Sequence, residues 1–71
     1  RIQQKIEILN GKPVIKGTRI PVDLILELLA SGLTTEEIAK EYPELSEEDI
    51  RAALEFSSKV IRMEVIELVS S

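Results

Sequence analysis

Residues 11–22 carry the stretch that decides the fold: Gly11-Lys12-Pro13-Val14-Ile15-Lys16-Gly17-Thr18-Arg19-Ile20-Pro21-Val22. The stretch contains two turn-forming glycines, three of the nine cationic residues and two of the three prolines of the chain. It offers no nucleophile, no general base and no metal ligand set. A rigid, basic and extended segment ahead of helices is typical of a surface that binds an acidic polymer or a protein edge.

The residues before this stretch predict a β-hairpin. Residues 5–9 are rich in β-branched side chains and lead into Asn10-Gly11, the pair most typical of a two-residue hairpin turn. Such a turn places Leu9 opposite Lys12. One face of the hairpin then carries Ile6, Ile8, Pro13 and Ile15, and the other carries Glu7, Leu9, Lys12 and Val14. Pro13 falls at a non-hydrogen-bonded pair, so its missing N–H does not interrupt the pairing.

The residues after this stretch predict three helices. The first has a single apolar stripe formed by Val22, Ile25, Leu26, Leu29 and Leu33, and it ends at a left-handed Gly32. The second begins at a capping box from Thr34 to Glu37 and stops at Pro43. The third begins in the same way at Ser46. Two short helices with a four-residue connection, preceded by a third, are typical of a helix-turn-helix bundle. We therefore expect a mainly α tri-helical bundle behind an N-terminal hairpin.

The C-terminal part allows two interpretations. Two adjacent apolar stripes on the third helix indicate packing against two neighbours. Residues 63–69 suit either a strand or more helix, and we favour a strand that pairs with another chain. We treat residues 1–71 as a single domain, with a basic arm at 5–20, a tri-helical body at 22–58 and a tail at 59–71 for partner binding or dimerisation.

Charge is strongly segregated along the chain. Residues 1–20 hold five cations against one acid, a net +4, whereas residues 21–57 hold two cations against ten acids, a net −8. A basic arm on an acidic body indicates a polyanion or an acidic partner at one end. A solvated surface that happens to segregate its charges is the alternative.

Composition limits the function classes. A chain of 71 residues with 44% hydrophobic residues has more aliphatic surface than a small monomer easily buries, which favours a homodimer or an obligate complex. The absence of cysteine is compatible with a cytoplasmic protein. No apolar run suits a membrane span or a signal peptide. With neither histidine nor cysteine, we expect no enzyme, no cofactor and no metal site.

The DNA-binding candidates lie mainly on the arm. Gly17 needs a positive φ to turn the chain, which leaves the neighbouring Thr18 and Arg19 exposed. The predicted DNA-contacting residues are Lys12, Lys16, Thr18, Arg19 and, on the third helix, Arg51. Base reading by that helix is less favoured, because Glu47, Glu48 and Glu55 surround its exposed start. The alternative is a structural turn whose arginine pairs with the acidic body.

The arm, followed by Leu29-Ala30-Ser31-Gly32-Leu33, Glu36-Glu37-Ile38, Tyr42-Pro43-Glu44-Leu45 and Asp49-Ile50-Arg51-Ala52-Ala53-Leu54, resembles the prokaryotic family called domain of unknown function four-three-three. These proteins are regarded as antitoxins akin to the VapB group. The resemblance implies a homeodomain-like fold, pairing with a PIN-like ribonuclease toxin encoded alongside, and repression of the shared operon through operator DNA.

Toxin binding is expected from the tail, where aliphatic side chains would pack on an apolar groove. The candidate residues are Lys59, Val60, Arg62, Met63, Val65, Ile66 and Leu68, and Arg62 would reach an acidic metal site of the toxin. Two other functions remain open: a protein-interaction or dimerisation module without a DNA role, and a small transcriptional regulator without a toxin.

Overall fold

The computed structural model describes residues 5–70, and the side chains of residues 5–63. Two strands, β1 (Ile6–Leu9) and β2 (Lys12–Ile15), precede three helices, α1 (Val22–Ala30), α2 (Thr35–Glu41) and α3 (Glu47–Ser70). The predicted hairpin followed by three helices is therefore confirmed, and the chain is mainly helical.

The hairpin has the predicted register. Ile6 pairs with Ile15 and Leu9 pairs with Lys12 in an antiparallel two-stranded sheet. Asn10 and Gly11 have φ values of 53° and 78°, the left-handed conformation that a tight turn of the right twist requires.

The two faces of the hairpin differ from the prediction in part. Ile15 is almost fully buried, but Val14, predicted on the opposite face of the hairpin, is also buried at 6% exposure. The chain turns back after β2, and Pro21 forms an isolated antiparallel bridge with Val14 that covers it. Ile8, predicted on the same apolar face as Ile15, is 58% exposed. Tertiary packing rather than strand alternation decides burial at these positions.

Local hydrogen bonds begin the last two helices as predicted. At α2, the Glu37 amide donates to the Thr34 hydroxyl at 3.1 Å, and the Thr34 amide donates to the Glu37 carboxylate at 2.9 Å. Ser46 and Asp49 form the same reciprocal pair at the start of α3, at 3.1 and 3.0 Å. Each pair satisfies two main-chain N–H groups that a helix start leaves without partners.

The core contains one fully buried isoleucine from each of four elements: Ile15 of β2, Ile25 of α1, Ile38 of α2 and Ile50 of α3. Complete burial of such a side chain contributes about 1.5–3 kcal/mol. Ala53 of α3 is fully buried in the same cluster. The hairpin therefore packs against the helical body through this shared core and is not a separate arm.

The strand favoured for residues 63–69 is wrong, because α3 continues as one helix to Ser70. A strand at the end of the chain needs a partner strand for its backbone groups, whereas a helix satisfies them within itself. The boundary predicted between body and tail, at residues 58 and 59, therefore falls inside a continuous helix.

Candidate functional site

The segment Lys16–Arg19, which we call the basic turn, is held by hydrogen bonds at its base. The Ile15 amide donates to the Ile20 carbonyl at 3.0 Å, and the Thr18 amide donates to the Ile15 carbonyl at 3.0 Å. Gly17 has a φ of 84°, which an L side chain rarely adopts. A short closed turn of this kind fixes where its exposed side chains leave the backbone.

Thr18 is a structural part of the basic turn. Its hydroxyl donates to the Ile15 carbonyl at 2.8 Å and accepts from the Ile20 amide at 3.0 Å. The residue is half-buried, which corrects the expectation that it is exposed. The hydroxyl both donates and accepts within the turn. Thr18 would therefore affect a ligand by positioning the neighbouring residues rather than by contacting the ligand.

Lys16 and Arg19 form the exposed charge of the basic turn. Within the part of the chain that the structure describes, neither cation has a carboxylate oxygen within 4.0 Å. The ion pair between Arg19 and the acidic body, which the alternative interpretation predicts, is therefore not found among the described residues. Two unneutralised cations on a closed turn are suited to contact phosphate oxygens.

The other two cations of the hairpin region are paired. Lys12 Nζ lies 3.5 Å from Asp23 Oδ2, with both side chains more than half exposed. Lys5 Nζ lies 3.6 Å from Asp49 Oδ1 and 3.9 Å from Glu48 Oε1. Exposed pairs such as Lys12 with Asp23 contribute only about 0–1 kcal/mol, so a phosphate could compete for Lys12 at small cost.

Arg51, the remaining DNA-binding candidate, lies on α3 in an acidic neighbourhood. It is exposed, and Glu47, Glu48 and Glu55 occupy the positions three or four residues away on the helix. No hydrogen bond or ion pair among the described residues joins Arg51 to the basic turn. An open depression of about 410 Å³ lined by Glu36, Glu37 and Glu47, together with Lys40 and Ala39, extends this acidic surface.

The toxin-binding candidates lie on the second half of α3. Lys59, Val60 and Arg62 are exposed, Met63 is exposed by 67%, and the Arg62 guanidinium donates to the Ser58 hydroxyl at 3.4 Å. Val65, Ile66 and Leu68 belong to the helix, and their side chains lie outside the described residues. The candidates are thus brought together on a helix rather than on a strand.

An apolar groove, which sequence reasoning missed, runs where α3 leaves the body. Its volume is about 220 Å³, and its lining consists of the charged Asp23, which pairs with Lys12, and of the apolar residues Pro13, Val22, Leu26, Phe56, Val60 and Ile61. Ser57 also lines the groove, but its hydroxyl donates to the Ala53 carbonyl at 2.8 Å, so this donor is already satisfied within the helix. The wide apolar arc of the third helix was the available indication, and the groove lies along that arc.

The described part of the chain shows neither a cluster of metal ligands nor a membrane-spanning helix. Among the described residues, no three side chains of the His, Cys, Asp or Glu types are grouped so as to hold a metal ion. Over the same part of the chain, every helix is too short or too polar to span a bilayer.

Known proteins with similar sequences give a family without an assigned function. A protein-family model described as Protein of unknown function (DUF433) matches residues 2–57. The uncharacterized protein y4eO of Sinorhizobium fredii is 40% identical over 47 residues, which are 66% of this chain and 21% of that protein. The chain thus spans about a fifth of the length of this curated relative. No solved structure matches.

Proposed function

The chain belongs to the family described as Protein of unknown function (DUF433), and we propose that it acts as an antitoxin of a type II toxin–antitoxin system. In this function it binds operator DNA through the basic turn and a PIN-like ribonuclease through the second half of α3. One observation carries the proposal: an exposed apolar helix and an exposed pair of cations occur on different elements of one small chain.

The basic turn supports the DNA-binding half of this function. Lys16 and Arg19 are exposed, and the described carboxylates leave both cations unpaired. The acidic surface at the start of α3 would repel phosphates and so would orient the basic turn toward the duplex. Lys12 would add a contact once DNA displaces Asp23. Most of the contacts would be with phosphates, so that sequence reading would depend on DNA shape or on Arg19 entering a groove.

The second half of α3 supports the toxin-binding half. Amphipathic helices commonly bind by laying their apolar face into a groove of the partner. Met63 would supply an apolar contact, and Lys59 would provide a flanking charge. Arg62 would enter an acidic metal-binding site of the nuclease, where a guanidinium can neutralise carboxylates in place of the metal ion.

DNA binding is tested with a duplex that covers the region upstream of the gene for this chain. We expect Lys16→Ala and Arg19→Ala each to weaken binding and to reduce the slope of log affinity against log salt by about one. Lys40→Ala is the matched control, because it removes one exposed cation from the acidic surface and should leave affinity unchanged. Equal effects of all three variants, or no binding at low salt, would remove the DNA-binding half.

Toxin binding is tested with the product of the adjacent gene in a ribonuclease assay. We expect the chain to inhibit that nuclease, and Arg62→Ala to weaken inhibition while operator binding remains intact. Glu47→Ala, a change of an exposed charge at the start of the same helix, should inhibit as the parent does. Inhibition that is unchanged in Arg62→Ala would exclude the role of Arg62, and absence of any inhibition would exclude this toxin.

Two other functions follow from partial outcomes of these tests. Nuclease inhibition without DNA binding would leave a protein-interaction module, which the exposed apolar part of α3 favours. Operator binding without a toxin would leave a small transcriptional regulator, which the basic turn favours. Under each function we propose a cytoplasmic protein that binds other molecules and carries out no catalysis.

A further inference from the structure

The second half of α3 projects beyond the body of the protein. The 24 residues of α3 form a helix about 36 Å long. Among the α3 side chains that the structure describes, Phe56 is the last to pack against the core, and the 14 helical residues after it add about 21 Å of length. The radius of gyration is accordingly 13.1 Å, whereas a compact domain of this length has a radius of about 11 Å.

The chain exposes more surface than a monomer of its mass. Its accessible area is 5608 Å², whereas a folded monomer of 8.0 kDa exposes about 4,450 Å². The excess of about 1,150 Å² exceeds the roughly 800 Å² that each partner buries in a standard protein interface. One interface of ordinary size would remove most of this excess.

The projecting part of α3 and the apolar groove are adjacent and have matching chemistry. Val60 and Ile61 form one wall of the groove, and they are 37% and 59% exposed. Pro13, Val22 and Leu26 form the opposite wall on β2 and α1. The ridge of α3 and the groove beside it are therefore the two halves of one apolar surface.

We propose that a second copy of this chain occupies the apolar groove, with the α3 helices of the two copies packed against each other. A twofold interface needs one surface that complements itself. The structure offers a ridge and a neighbouring groove on the same face, so the ridge of each copy enters the groove of the other. Phe56, Val60 and Ile61 of both copies are buried at the centre of this dimer.

The dimer leaves the opposite side of α3 available. Each residue of a helix advances about 100°, so Glu55 and Arg62 lie about 100–160° around the helix from the residues at the dimer centre, whereas Lys59 lies about 60° from Phe56. Arg62, a charged toxin-binding candidate, is thus directed away from the second copy, and Lys59 lies at the edge of the interface. The dimer does not depend on toxin or DNA binding, and it would hold equally for an interaction module.

Light scattering during size-exclusion chromatography of the 71-residue chain tests this dimer without DNA or any partner. We expect a mass twice the 8.0 kDa of the chain. Ile61→Lys should give the monomer mass, because it places a charge at the centre of the apolar interface. Glu55→Lys, the matched control on the opposite side of α3, should remain a dimer. Far-ultraviolet circular dichroism should show unchanged helix content for both variants, since both positions are exposed.

Three results would overturn the proposal. A monomer mass for the parent chain at micromolar concentration would exclude the interface. A dimer that Ile61→Lys leaves intact would place the contact elsewhere on the chain. Equal dissociation by Ile61→Lys and Glu55→Lys would show that the groove side of α3 has no special part in association.

Discussion

The hydroxyl of Thr18 donates a hydrogen bond to the main-chain carbonyl of Ile15 at 2.8 Å. The bond joins Thr18 to the last residue of β2 and so closes the basic turn. Lys16 and Gly17 lie between these two hydrogen-bonded residues. The backbone that carries the exposed side chains of Lys16 and Arg19 therefore has a defined shape.

Loss of this hydroxyl should destabilise the fold. Thr18→Val keeps the side-chain shape but removes the acceptor of the Ile20 amide, at an expected cost of about 1–3 kcal/mol. Urea denaturation measures the difference. Thr35→Val is the matched control, because within the described residues Thr35 makes no side-chain hydrogen bond, and its midpoint should shift much less. Equal shifts for the two variants would contradict the structural role of Thr18.

The conformation of Gly17 should also be measurable as stability. Its φ of 84° is unfavourable for an L side chain, although no other atom lies within 4 Å of an added Cβ. Gly17→Ala should therefore cost about 1–2 kcal/mol from backbone strain alone, and Gly17→Asn should cost less because asparagine tolerates this conformation. Thermal unfolding of both variants checks the order. A more stable Gly17→Ala would show that the turn takes another conformation in solution.

The capping box of α2 should contribute as a unit. Thr34→Ala removes the acceptor of the Glu37 amide, with an expected loss of about 0.5–2 kcal/mol. Because the two residues exchange hydrogen bonds, a double-mutant cycle with Glu37→Ala should give a non-additive term. Glu36→Ala, at an exposed position that makes no cap bond, should change stability little and should be additive with Thr34→Ala. Strict additivity of the first pair would argue against the reciprocal bonds.

Buried and exposed isoleucines should respond differently to loss of one methylene. Ile38→Val acts on a side chain with no exposure and should cost about 0.5–1.5 kcal/mol. Ile8→Val acts on a side chain that is 58% exposed in a strand, where valine is equally suitable, and should be close to neutral. Chemical denaturation of the two variants provides the comparison, and a larger loss at Ile8 would show that the hairpin tip is covered in solution.

Residues close together in sequence were predicted with most success. Asn10-Gly11 predicts the register of β1 and β2, Gly32 the end of α1, and Ser46 with Asp49 the start of α3, and all three predictions are confirmed. Each depends on hydrogen bonds or backbone angles within about four residues. The exposure of the charged side chains of Lys16 and Arg19 likewise follows from a local feature, the turn at Gly17.

Positions whose partners are distant in sequence were predicted less well. Val14 is buried because Pro21 returns alongside it, and Lys5 is paired with Asp49 more than forty residues away. The groove needs α1, β2 and α3 to be placed together before it exists. Residues 63–69 have mixed preferences, and the strand that we favoured for them from the sequence is wrong, because they continue α3.

The sequence by itself therefore determined the hairpin turn, the helix starts and the order of the elements, because short-range hydrogen bonds and φ preferences act without the rest of the fold. Only the tertiary structure decided which cations remain unpaired, which apolar residues are covered and how far α3 projects. Those properties depend on the packing of elements that are distant in sequence, and they determine the two surfaces for which we propose partners.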